Sequence, residues 1–136
     1  MTTLNMHTAL ITTMVIVSAS DQEMTDRELF TIGEIVRTLP MFSEYDEEHL
    51  PDDATSCVEM LNGDQALEDI IAKIRAVLPK KLYDTAYALA CDIAVCDGQL
   101  SQEELRMLEM LRHGLDVDRL TAAAIERGAA VRFTRL

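Results

Sequence analysis

Residues 94–111 read AVCDGQLSQEELRMLEML and contain the pattern that decides the fold. An apolar run ends at Asp97 and Gly98, a dipeptide typical of a tight turn. Ser101 then stands three residues before Glu104, at the start of a second run whose apolar residues recur three and four apart. A serine and a glutamate at this spacing form a capping box, in which each side chain accepts a hydrogen bond from the other residue's backbone amide. The stretch therefore predicts a helix, a tight acidic turn and a second helix that begins just after Ser101.

The same pattern occurs a second time, nearer the start of the chain. Residues 19–39, ASDQEMTDRELFTIGEIVRTL, align without a gap on residues 95–115, VCDGQLSQEELRMLEMLRHGL. Both copies follow an apolar run and both place a Thr or Ser three residues before a Glu, so the matches fall at positions with a structural role. We therefore expect two related helix-turn-helix units. The aligned pairs are Asp21 with Asp97, Thr25 with Ser101, Glu28 with Glu104, and Leu39 with Leu115.

The repeat also decides how the first apolar run folds. Taken alone, LITTMVIV (residues 10–17) fits a buried strand as well as a helix, because so short an apolar run does not distinguish them. Its counterpart, YDTAYALACDIAV (residues 83–95), is rich in alanine and follows Pro79, which favours a helix. The sequence thus predicts an all-α fold, a compact bundle of about seven helices with pseudo-two-fold repeat units at about 9–39 and 85–115.

The remaining segments are assigned to further helices and one acidic connection within a single domain, residues 1–136. The connection, residues 40–53, is dense in carboxylates and bracketed by prolines. It is interpreted as a solvated segment whose charges repel one another, with a cation-attracting or partner-facing loop as the alternative. Asp64 is predicted to cap the helix that follows it, and the last helix is expected to end near Gly128.

Composition and charge exclude some classes of partner. The chain has 24 acidic and 12 basic side chains, a formal net charge of −12, which repels nucleic acid and anionic membrane surfaces. We therefore expect an unidentified protein partner with a basic surface. The apolar run at residues 9–20 is too short and too rich in Thr and Ser for a membrane span, and no Lys or Arg precedes it as in a signal peptide. The three cysteines form no paired framework, which favours free thiols and a cytoplasmic location.

The repeated segments resemble a known family. AVCDGQLSQEE, preceded by YALACDI, is similar to the signature of the TerB-like (tellurite resistance) family, and SASDQEMTDRE resembles a more divergent first copy. The resemblance extends over about residues 9–117 and implies an all-helical, pseudo-symmetric bundle found in bacterial stress proteins and attached to co-chaperone-like proteins. Gln22 departs from the pattern where the second copy has Gly98, which adopts a positive φ freely. The resemblance also implies a divalent cation, Ca²⁺ or Mg²⁺, with four metal ligands: Asp21, Glu28, Asp97 and Glu104.

Other chemistries fail on residue spacing. An EF-hand loop counted from Asp97 or Asp21 needs a glutamate at position twelve, where this chain has Leu108 and Ile32. None of the histidines stands three residues after a glutamate, as a di-iron bundle requires, and no HExxH, P-loop or GxGxxG is present. The sequence therefore predicts no catalytic residue and a non-enzymatic protein.

Two interpretations of the acidic residues stay open. In the first, Glu28 and Glu104 are only capping-box partners and Asp21 and Asp97 only turn formers, and the protein is an interaction scaffold or co-chaperone-like adaptor. In the second, the two units pack about a pseudo-two-fold axis, their turns lie at one end, and several carboxylates share a hard cation. The leading hypothesis is the second: a non-enzymatic stress-response protein, linked to tellurite or metal resistance, that binds a divalent cation through its acidic turns.

Overall fold

A computed structural model describes residues 4–20, 24–98 and 100–136. Over these residues the chain forms seven α-helices, three short 3₁₀ turns and no strand, so the all-α prediction is confirmed. The 3₁₀ turns lie at Pro40–Phe42, Glu47–His49 and Lys80–Leu82. The helices are α1 (Met6–Ser18), α2 (Asp26–Thr38), α3 (Leu50–Leu61), α4 (Leu67–Val77), α5 (Tyr83–Val95), α6 (Gln102–Gly114) and α7 (Arg119–Arg132).

The first apolar run is helix α1, and it is buried on all sides. Every residue from Thr8 to Ser18 is buried, which suits a helix that is apolar around its whole circumference. Its threonines do not break the helix, because the Thr12 and Thr13 hydroxyls donate to carbonyl oxygens four residues earlier, at 2.6 and 2.8 Å. Asn5 caps the helix by accepting from the backbone amide of Thr8 at 2.9 Å. Burial and capping together explain why this β-branched segment is helical.

The first helix of each repeat lies at the centre of the bundle. Helix α1 packs against α5 and also contacts α2, α3, α4 and α6, while α5 contacts α2, α6 and α7. The two units have matching elements, since α1, α2, α5 and α6 are each 13 residues long. None of the described helices is long and apolar enough to cross a membrane.

The acidic connection is partly folded into the core. Phe42 is buried, and its ring stacks on His7 of α1 with the centroids 5.5 Å apart. The His7 ring hydrogen-bonds through Nε2 to the carbonyl oxygen of Met41 at 2.8 Å, and the Tyr45 hydroxyl donates to the Asp53 carboxylate. The acidic side chains of residues 40–53 are exposed or half-buried, which fits a solvated segment. The two 3₁₀ turns, the first residues of α3 and the burial of Phe42 were not predicted.

Two predicted helix ends also differ from the structure. Asp64 does not cap α4; the N-cap is Ala66, without a side-chain hydrogen bond. Helix α7 continues through Gly128 to Arg132, and the buried Ala129 lies just after the glycine. Burial of Ala129 stabilises the last turn of the helix, and this stabilisation outweighs the low helix propensity of glycine.

Candidate functional site

Helix α2 begins with a complete capping box. The Thr25 hydroxyl oxygen accepts from the Glu28 backbone amide at 3.1 Å, and Glu28 Oε1 accepts from the Thr25 amide at 2.8 Å. Both amides belong to the first turn of the helix or its cap, where no intrahelical carbonyl is available to them. Thr25 is therefore the N-cap, as predicted from the sequence.

Helix α6 begins in the same way. Ser101 Oγ accepts from the Glu104 amide at 3.0 Å, and Glu104 Oε1 accepts from the Ser101 amide at 2.9 Å. The two boxes agree in each corresponding distance to within 0.1 Å. The internal repeat in the sequence is thus also a repeat in hydrogen bonding.

The two capping-box glutamates are buried, which the sequence pattern did not indicate. Glu28 is 1% exposed and Glu104 is 3% exposed. Glu28 accepts an additional hydrogen bond from Ser18 Oγ, at the end of α1, with a donor–acceptor distance of 3.1 Å. The residue aligned with Ser18 in the second unit is Ala94, which has no donor to offer Glu104. The two glutamates therefore occupy equivalent positions, but only Glu28 accepts a hydrogen bond from the end of the preceding helix.

Burial and mutual repulsion raise the pKa of both glutamates above the ordinary value. For Glu28 the main cause is desolvation, opposed by the hydrogen bonds from Thr25 and Ser18, and the negative charge of Asp97 adds to the increase. For Glu104 desolvation again raises the pKa most, and the charges of Glu28 and Asp97 raise it further. Each carboxyl group is thus within electrostatic range of the other two. The described residues place the start of α2, the start of α6 and the Asp97 turn at one end of the bundle.

The turn before α6 depends on Gly98. Its φ is +79°, and its amide donates to the carbonyl oxygen of Val95 at 3.0 Å. A Cβ atom at this position would lie 3.0 Å from Arg135 Nε, so the turn is restricted both by backbone conformation and by the neighbouring side chain. This glycine fixes the direction in which the chain leaves Asp97.

The predicted metal ligands are only partly covered by the structure. Glu28, Asp97 and Glu104 lie at the same end of the bundle, whereas Asp21, like Gln22, lies outside the described residues. Within residues 4–20, 24–98 and 100–136, no group of three or more His, Cys, Asp or Glu side chains is arranged so that it could hold a metal ion. The four-carboxylate site stays a prediction, and the structural roles of Glu28 and Glu104 are established.

The three cysteines are free, buried thiols. The Cys57 thiol lies 2.9 Å from Thr12 Oγ1, and Cys96 donates to the carbonyl oxygen of Ile93 at 3.2 Å. Burial raises the pKa of Cys57 and Cys96, and it raises the pKa of Cys91 to about 12. Protonated, inaccessible thiols are poor nucleophiles and poor metal ligands, so these side chains belong to the core.

Two surface grooves beside α6 were not indicated by the sequence. One, of about 620 Å³, lies between α4 and α6, and the other, of about 420 Å³, is lined by α5, α6 and α7. The second groove is also lined by Leu100, just before the N-cap of α6, and by Leu105 in its first turns. Both leucines are 43% exposed.

Comparison with known proteins agrees with the all-α fold. A family model described as tellurite resistance protein TerB matches residues 7–127, from the first turn of α1 into α7. No curated protein and no solved structure matches the chain. The matched region includes both capping boxes, the Asp97 turn and the acidic connection. The chain therefore belongs to the TerB family of tellurite resistance proteins.

Proposed function

We propose that this TerB protein is a non-enzymatic stress-response domain that binds a divalent cation, Ca²⁺ or Mg²⁺, at the acidic end of the bundle. The observation that supports the proposal is that Glu28, Glu104 and Asp97 lie at one end of the bundle, close enough for their charges to raise the pKa of both glutamates. A divalent cation would offset this repulsion, and carboxylate oxygens are the ligands that hard cations prefer.

The proposed ligands have different roles. Asp97 is the principal candidate, because the Gly98 turn allows backbone carbonyls to approach a cation bound there. Glu28 and Glu104 each use Oε1 in a capping box, and a carboxylate has lone pairs enough to accept there and still contribute to a cation. Asp21 is proposed as the fourth ligand from its alignment with Asp97 alone. A site built in this way would be weak, with a dissociation constant on the order of 10⁻⁴ to 10⁻³ M.

Cation binding should depend on pH in a defined direction. Protons compete with the cation for the carboxylates, and the raised pKa values of Glu28 and Glu104 extend this competition above the usual range for a glutamate. Affinity should therefore increase as the pH rises, until both carboxyl groups are ionised. A purely structural end of the bundle would have no such dependence.

Isothermal titration with Ca²⁺ and Mg²⁺, together with thermal unfolding, tests the proposal. With a dissociation constant of about 1 mM, 10 mM cation should increase the free energy of unfolding by about 1.4 kcal/mol. Asp97→Asn should weaken binding, whereas Asp52→Asn, an exposed change in the acidic connection, should leave it unchanged. Equal effects of the two substitutions would indicate diffuse charge attraction. Absence of saturable binding in the wild type would show that these residues act only in helix capping and turn formation.

A protein-interaction scaffold is the second candidate, and the observation that favours it is the charge. With a net charge of −12, the surface is suited to a partner with a basic surface whether or not a cation is bound. In that case the turns would be purely structural, and cation would not change the free energy of unfolding. The same titration therefore distinguishes the two candidates.

A further inference from the structure

The groove between α6 and α7 has the shape of a binding site for a helix. Both helices pack on α5, which forms the floor with Tyr87, Cys91 and Val95. A second cavity, of about 180 Å³, shares Val95 and Leu100 with the first and extends towards Gly98. The two cavities together make one continuous depression along the surface, which we call the α6–α7 groove.

The α6 wall of this groove has helical spacing. Leu105, Leu108, Glu109 and Arg112 line it, at positions i, i+3, i+4 and i+7. Side chains at this spacing form one straight face of a helix, and seven residues correspond to about 10 Å along the axis. The wall is therefore about two helical turns long.

The α7 wall has the same spacing. Glu126, Ala129 and Ala130 line the groove and Phe133 continues it, again at i, i+3, i+4 and i+7. The two alanines leave space between the helices that larger side chains would fill. Two walls that each extend over seven residues above an apolar floor match the way an amphipathic helix inserts its apolar face into a groove.

Exposed leucines lie at the mouth of the groove. Leu100 and Leu105 occupy the positions just before the N-cap and four residues into α6, where apolar side chains commonly pack on each other. In this structure each of them is 43% exposed. The counterpart of Leu105 in the first unit is Leu29, which is 47% exposed and lines none of these cavities, so it provides a matched control.

The charges that face the groove favour a basic partner. Glu109 and Glu126 line it, and Glu109 takes part in no ion pair with any described residue. Glu126 Oε2 accepts from the Tyr87 hydroxyl at 2.5 Å, which holds this carboxylate over the floor. Among the described residues that line it, Arg112 is cationic, but it is directed towards the end of its own helix, where it donates to the carbonyl oxygen of Val117 at 3.4 Å. Arg135 lies beside Gly98 at the far end of the groove, away from the two glutamates' helical positions on the walls. Nearby Arg132 is paired with Asp92.

We propose that the α6–α7 groove binds an amphipathic helix of a partner protein, with the apolar face of that helix on the leucines and alanines and its Lys or Arg side chains near Glu109 and Glu126. Apolar anchors supply the affinity in such an interface, while the charges select the partner and its orientation. The groove ends beside the Asp97 turn of the proposed cation site, but its leucines, alanines and glutamates are other residues, and the proposal does not depend on cation binding.

Fluorescence anisotropy with a labelled model peptide tests this proposal. The probe is a helical peptide of leucine and lysine about 14 residues long, and the control peptide has glutamate in place of every lysine. The lysine peptide should bind saturably, and the glutamate peptide should bind at least about tenfold more weakly. Equal binding of the two peptides, or no binding of either, would overturn the proposal.

Matched variants then locate the bound peptide. Ala130→Trp fills the groove from an exposed position and should weaken binding about tenfold or more, whereas Ala124→Trp, exposed on another face of α7, should not. Leu105→Gln should weaken binding and Leu29→Gln should not, which provides a second pair if a tryptophan variant fails to fold. Binding that is insensitive to both pairs would show that the peptide associates with acidic surface elsewhere, and the groove would then not be the site.

Discussion

Ser18→Ala should be unusually destabilising for a serine substitution, because it removes a buried hydrogen bond to a carboxylate. Ser18 is 0% exposed and Glu28 is 1% exposed, and Ser18 Oγ donates to Glu28 Oε1 at 3.1 Å. A hydrogen bond to a charged group contributes about 1.5–3 kcal/mol. Alanine has a better helix propensity than serine, and this offsets about 0.5 kcal/mol of the lost hydrogen-bond energy. The expected loss in the free energy of unfolding is therefore about 1–2.5 kcal/mol at pH 7.

Urea unfolding followed by circular dichroism measures this loss, and a double-mutant cycle assigns it to the Ser18–Glu28 pair. Glu28→Gln keeps a capping-box side chain but removes the charge, so Ser18→Ala in that background should cost only about 0–1 kcal/mol after the same correction for helix propensity. Ser20→Ala is the control, since Ser20 is only half-buried and donates to the neutral carbonyl oxygen of Val17. An equal cost of Ser18→Ala in the two backgrounds would refute the assignment, as would a loss no larger than that of Ser20→Ala.

Two further predictions concern packing and pH. Gly114→Ala places a Cβ atom 2.3 Å from Ile71 Cγ2 and should cost about 1–3 kcal/mol, whereas Gly128→Ala meets only open space and the end of a flexible arginine and should stabilise by up to about 1 kcal/mol. Urea unfolding of the two variants should give opposite signs, and the same sign would contradict the close contact between α4 and α6. For the pH dependence, burial raises the pKa of Glu28 and Glu104, so the folded state binds their protons more tightly than the unfolded state. Their contribution to stability is therefore fully present below about pH 4.5 and is lost as the pH rises through the folded pKa values. Relative to wild type, the double Gln variant should gain stability between pH 4.5 and 8 in a pH series of urea unfolding curves, and a constant difference would exclude raised pKa values.

The helix-turn-helix units could be predicted because their signals are local. Thr25 with Glu28 and Ser101 with Glu104 satisfy amides within one turn of themselves, so the residue spacing alone specifies the hydrogen bonds. Because the two units align, the helix predicted for the alanine-rich α5 was also predicted for the β-branched α1. Neither prediction depends on contacts between segments that are distant in the sequence.

Features that depend on distant contacts could not be predicted in this way. Phe42 is buried and packs against His7, 35 positions earlier in the chain. The charged residues that follow Phe42 in the sequence indicate an exposed segment, so this contact could not be predicted. The capping-box pattern specifies which atoms Glu28 and Glu104 bind but not whether water reaches them, since their burial results from packing of the two units. The α6–α7 groove has the same origin, because its width depends on how α6 and α7 each pack on α5.

Paramagnetic broadening by Mn²⁺ in amide-resolved NMR spectra tests the proposed cation site most directly. If the acidic end binds a divalent cation, the amides of Gly98, Thr25 and Ser101 should broaden together at low Mn²⁺, before the amide of Asp52 in the acidic connection. Excess Ca²⁺ or Mg²⁺ should reverse this broadening by competition, and Asp97→Asn should shift it to higher Mn²⁺ concentrations. Broadening that reaches Asp52 first, or that affects all acidic segments equally, would contradict the account and leave the paired capping boxes with a structural role only.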